Sequence, residues 1–141
     1  MVVAIQPQYR INHGGEPMRT YTQEEAIEIA RKLALESGQE VIVHAEDGQI
    51  KARVFVHDNI AYVDHYLTER IAACDLIVQG KPRIARTRIP VNILLNYMAQ
   101  GATIADLISE EYYPDLTEED IYDCLTYASR LVSDSRVLPE K

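Results

Sequence analysis

The side chains able to do acid–base, nucleophilic or metal chemistry are few and scattered. The histidines are His13, His44, His57 and His65, and the two cysteines, Cys74 and Cys124, stand fifty positions apart. His57-Asp58 and Asp64-His65 put ligand-type atoms side by side, but neither repeats the spacing of a zinc site. Without a Cys-x-x-Cys pair or a cysteine–histidine cluster, the cysteines read as two reduced, partly buried thiols. There is no glycine-rich phosphate loop, no Gly-x-Ser-x-Gly and no His-Glu-x-x-His. Carboxylates are plentiful, yet none sits in an apolar setting that would raise its pKa for acid catalysis. The sequence therefore predicts no enzyme, no catalytic residue, no metal and no cofactor.

Charge is what remains to do chemistry. With 14 Lys+Arg against 22 Asp+Glu the net charge is −8, which disfavours non-specific attachment to nucleic acid or an anionic membrane. The charge is unevenly placed. Residues 70–88 carry Arg70, Lys81, Arg83, Arg86 and Arg88 against Asp75, a local +4. Residues 106–123 carry eight carboxylates and no cation, a local −8, interleaved with Tyr112, Tyr113 and Tyr122. Lys81, Arg83, Arg86 and Arg88 are the candidate phosphate contacts. Tyr112, Tyr113, Glu118, Glu119 and Tyr122 are the candidate contacts for a basic protein, because tyrosine suits interface cores and complementary charge speeds association.

The elements that must position these strips read as two halves. In the first, Val2 to Ile11 reads as an opening strand, with a turn cluster at 12–17. Thr22-Gln23-Glu24-Glu25 is a capping box ahead of a helix whose Ala26, Ile27, Ala30, Leu33 and Ala34 share a face. Gly38 suits the position just past its end. Asp47-Gly48 then joins two runs of period two, Val41–Ala45 and Ile50–His57, as a hairpin. Residues 58–75 read as a connecting helix, on the spacing of Ile60, Val63, Leu67 and Ile71.

In the second half, two short extended pieces flank Gly80-Lys81-Pro82. Pro90 opens a helix with Val91, Leu94, Leu95 and Met98 inward, ended by Gly101. Thr103 and Thr117 cap two further helices, with Asp106 and Asp120 three residues on. The expected architecture is α+β: a small strand-helix-hairpin unit at 1–58, a connector at 59–69, and a trihelical helix-turn-helix bundle with a short extended arm at 70–135.

Gly80-Lys81-Pro82, then Thr87-Arg88-Ile89-Pro90-Val91, with Leu94, Ala99-Gln100-Gly101 and Tyr113-Pro114-Asp115-Leu116-Thr117-Glu118-Glu119-Asp120-Ile121, resembles the signature of the family catalogued as domain of unknown function 433. The first half, from Thr22 to the Asp47-Gly48 hairpin, more loosely resembles domain of unknown function 2188. The first resemblance implies an antitoxin-like helix-turn-helix protein, with a cognate toxin-like protein and operator DNA as partners. Two positions depart from its pattern: Arg86 stands where glycine is usual, and Arg83 where an apolar residue is usual. Since arginine takes a positive φ less cheaply than glycine, a differently shaped loop is expected there.

Two functions follow as expectations, ahead of a third and less favoured one, an enzyme of unrecognised type. The first is a non-catalytic, antitoxin-like protein that binds a basic partner through its acidic helical surface. The second is a DNA-binding regulator that uses the arm at 81–88, since carboxylates at the start of the last helix would repel phosphate from a reading helix. A homodimer is expected, because the extended pieces at 76–79 and 83–88 leave edges to pair. No apolar run approaches the ~20 residues of a membrane span, and Met1 to Pro7 lacks the make-up of a signal peptide, so a cytoplasmic protein is expected.

Overall fold

The structure is a computed structural model that describes residues 8–13, 17–136 and 138. Seven strands make one antiparallel sheet: β1 (Tyr9–Asn12), β2 (Met18–Thr20), β3 (Val41–Ala45), β4 (Ile50–His57), β5 (Ile60–Tyr66), β6 (Ile71–Ala73) and β7 (Arg83–Ile84). Their order is β2-β1-β3-β4-β5-β6-β7. Helix α1 (Gln23–Ser37) connects β2 to β3, and α2 (Val91–Ala99), α3 (Ile104–Leu107) and α4 (Glu118–Asp134) follow β7.

Local chemistry explains the ends of these elements. The Thr22 hydroxyl accepts the Glu25 amide at 3.1 Å, and Gly38 closes α1 in the left-handed conformation, φ 72°. Thr103 with Asp106, and Thr117 with Asp120, form complete capping boxes. Period-two alternation then sorts the strand side chains. Ile11, Val41, Val43, Ala52, Val54 and Val63 meet α1, whose Ala26, Ala30 and Ala34 are fully buried. Three alanines one turn apart let the helix axis approach the sheet closely. A second core gathers Ile71 and Ile84 from the last strands with Leu94, Leu107, Leu116, Ile121 and Cys124 from the helical segment.

The structure overturns the expected architecture. A single sheet runs through the N-terminal and central parts of the chain and ends at β7, in place of a small strand-helix unit followed by a trihelical bundle. The connecting helix read at 58–75 is instead β5 and β6. Asp58 and Asn59, at φ 51° and 64°, form a two-residue turn between His57 and Ile60, which face each other in the register. Two successive positive φ values are what a primed hairpin turn needs, and Asp and Asn reach them more easily than most residues. Of the helical segments, α3 is a single turn. The opening strand begins at Tyr9, since residues 1–7 lie outside the described residues, as do 14–16 of the turn cluster. Of the extended pieces expected to need a second copy, 76–79 is a turn that runs into a 3-10 turn at Val78–Gly80, and 83–88 pairs within the chain: the Ile84 amide donates to the Ile89 carbonyl, and the Ala85 amide to the Arg70 carbonyl.

The alanine face of α1 gives a stability test. Ala30→Leu should destabilise the fold by about 1–3 kcal/mol through overpacking, read as a lower urea midpoint with unchanged slope.

Candidate functional site

Of the basic arm, Arg83 is engaged inside the molecule and Arg86 in an exposed pair at its surface. Arg83, 1% exposed, donates from Nη2 to both oxygens of the fully buried Asp64 at 2.8 Å. Arg53 donates from Nη2 to the same carboxylate at 3.0 Å and from Nη1 to Glu40, also at 3.0 Å. Arg86 closes the chain of ions, donating from Nη2 to Glu40 at 3.1 Å. Burial pushes the Glu40 carboxyl up, but the hydrogen bonds and charges of Arg86 and Arg53 together hold it below its ordinary value. Lys81 and Arg88 are exposed and enter no ion pair among the described residues. The arm therefore offers two side chains to a phosphate as it stands, where the sequence suggested four.

Arg86 takes φ 67°, so the loop adopts the positive φ where the family pattern has glycine. The Thr87 amide donates to the Ile84 carbonyl and the Thr87 hydroxyl accepts the Ile89 amide, which pins the turn around it. The exposed ion pairs to Glu40 offset part of a backbone cost of roughly 1–2 kcal/mol.

The acidic strip divides into two populations. Asp106 and Asp120 are spent on capping boxes. Asp120 also takes the Arg70 guanidinium at 3.2 Å, and Asp123 accepts the Arg70 amide at 3.0 Å and the Thr68 hydroxyl, docking the β5–β6 turn on α4. Glu110, Glu111, Asp115, Glu118 and Glu119 are exposed and unpaired among the described residues. Tyr112 and Tyr122 are exposed beside them, whereas Tyr113 is half-buried. Tyr97 holds Tyr112 edge-on, with ring centres 5.0 Å apart, and lies 6.5 Å from Tyr113. The structure thus brings the five candidate partner contacts to one segment, from the α3–α4 connection to the first turns of α4.

Both cysteines are free and buried. Burial, with the charges of Asp123 and Asp120, pushes the Cys124 thiol up to about 12, so it stays protonated at neutral pH. Among the described residues no group of three or more His, Cys, Asp or Glu side chains could hold a metal ion. No helix among them is long and apolar enough to cross a membrane.

Residues 71–128 match the family model described as Protein of unknown function (DUF433). Residues 10–54 match the one described as Uncharacterized protein conserved in bacteria (DUF2188). No curated protein and no solved structure matches the chain. The ion network lies across the seam between the two matched stretches: Glu40 and Arg53 come from the first, Arg83 and Arg86 from the second, and Asp64 from the strand between. Sequence reading missed Glu40, Arg53 and Asp64 as a unit. The available signal was a cation and a carboxylate inside otherwise apolar strands.

Asp64→Asn leaves the buried Arg83 guanidinium without a counter-charge and Arg53 with Glu40 alone, and should cost about 3–5 kcal/mol in urea unfolding. Arg86→Gly relieves the backbone while losing an exposed pair, and should change stability by less than about 1 kcal/mol. Because Glu40 titrates lower in the folded chain, its contribution is full above its unfolded pKa of about 4.3 and is lost as pH falls through the folded value. Glu40→Gln should accordingly flatten the acid limb of a stability–pH curve.

Proposed function

We propose that the chain is a non-catalytic binding protein of antitoxin-like type, whose partner presents a basic protein surface to the α3–α4 end. The observation that carries this reading is the set of five exposed, unpaired carboxylates on residues 110–119, flanked by exposed Tyr112 and Tyr122. Like charges crowded without counter-ions repel one another, so a cationic partner gains both from attraction and from relief of that repulsion. Tyrosines at the same place supply contact area with little rotamer entropy to lose. A protein that acts on RNA carries a basic surface around its reacting site, and an acidic partner masks such a surface. The match to DUF433 over 71–128 includes this segment.

DNA binding through the arm is the weaker reading, since Arg83 and Arg86 are engaged by Asp64 and Glu40. What favours it is the exposure of Lys81 and Arg88 on the same loop region.

The test is calorimetric and kinetic titration of the purified chain with the product of the adjacent reading frame. A complex is expected whose association rate falls steeply with salt. The Glu118→Lys, Glu119→Lys variant should slow association at least about tenfold with the fold intact. An unchanged rate and affinity in that variant would remove the acidic surface from the account.

A further inference from the structure

Helix α4 is 17 residues long, but only its first half is held by the body of the molecule. Its buried side chains are Ile121 and Cys124, and every residue from Ser129 to Arg136 is exposed. A short helical stretch is marginal in water without a packed face, so the last turns of α4 lack the contact that ordinarily stabilises such a segment. The exposed side carries a regular seam. Glu118, Tyr122, Leu125, Ser129 and Val132 follow at steps of four, three, four and three residues, and Arg136 comes four further on, one residue past the C-cap Ser135. All six are exposed, Tyr122 at 54% and Val132 at 76%. Alternating steps of three and four are the spacing by which one helix lies along another.

The order of the seam decides what fits it. Its steps read the same from either end, about the level of Tyr127. Laid antiparallel on a copy of itself, it sets Glu118 against Arg136, Tyr122 against Val132, and Leu125 against Ser129. Acid meets base at both ends, apolar side chains meet inside, and the small serine makes room for leucine. A parallel copy would set Glu118 against Glu118 and Arg136 against Arg136. A uniformly basic partner would suit Glu118 and meet Arg136 at the other end, and an acidic one would do the reverse. Glu118 enters no ion pair among the described residues. A twofold contact uses one patch on both copies, so self-complementarity is what it requires. Opposed helix dipoles favour the same antiparallel arrangement.

We infer that two copies of the chain associate through antiparallel pairing of α4, with the twofold axis at the level of Tyr127. Glu118 and Tyr122 belong to the seam in the dimer. Glu110, Glu111, Asp115 and Glu119 lie off it and remain for the basic partner proposed above. The dimer needs no such partner and is measured on the chain alone, so the two readings fail separately.

Sedimentation equilibrium between about 1 µM and about 1 mM should show a reversible rise in mass from the monomer's 16.0 kDa towards twice that value. Val132→Glu sets a carboxylate against Tyr122 of the other copy and should weaken the dimer at least about tenfold. Glu118→Arg and Arg136→Glu should each weaken it about 3- to 10-fold, and the chain carrying both should recover the parent's affinity within about twofold. Circular dichroism melting confirms that each variant is folded. A parent that stays monomeric at about 1 mM overturns the inference. So does a dimer that a folded Val132→Glu chain keeps intact, or a double variant no tighter than either single one.

Discussion

A carboxylate removed from water costs several kcal/mol, and the fully buried Asp64 is compensated by two arginines brought to it from different parts of the chain. Such an arrangement tolerates few alternatives. Arg53 must be on β4 opposite Asp64, which fixes the β4–β5 register. Arg83 must reach the same oxygens from β7, which fixes how the last strand closes the sheet. Glu40 then draws in Arg86 and holds the loop before α2, whose first turn enters the second core. The network is polar where both hydrophobic clusters are apolar, so it specifies how they are joined rather than how strongly each is packed.

The surfaces follow from the same geometry. Because α1 occupies one face of β1–β5, the guanidinium groups and aromatic rings of the alternate residues collect on the other. Because Asp120 and Asp123 are committed to Arg70, Thr68 and a helix cap, the acidity left for a partner is concentrated on residues 110–119. The unpaired acidity thus lies on one exposed segment, while most arginines of the sheet are paired with Asp64, Glu40 or Glu46.

Helices were legible in the sequence wherever capping chemistry was local. Thr22, Thr103, Thr117 and Gly38 each mark a boundary through side-chain or backbone preferences that need no distant partner. The Asp47-Gly48 hairpin was legible for the same reason, with Gly48 at φ 92°. The stretch from Ile60 to Ile71 was not, because apolar residues spaced three and four apart along two short strands and their turn imitate a helical stripe. Its informative feature was the weaker turn pair Asp58-Asn59. Strand pairing is a long-range property, and three-residue β6 and two-residue β7 offer too few alternations to declare a period. The site was half legible for a related reason: charge density along the chain located both strips, but whether an arginine faces solvent or a buried carboxylate depends on a partner nineteen positions away, as for Arg83 and Asp64.

The central claim is that the Asp64 network makes the two hydrophobic clusters one cooperative unit. Native-state hydrogen exchange measures it directly, by comparing opening free energies of amides in β3 and β4 with those in α2 and α4. The account predicts equal values for both groups in the natural chain, and a separation between them once Asp64 is replaced by asparagine. Unequal values in the natural chain, or an equal drop in both groups with no separation in the Asp64→Asn chain, would contradict it.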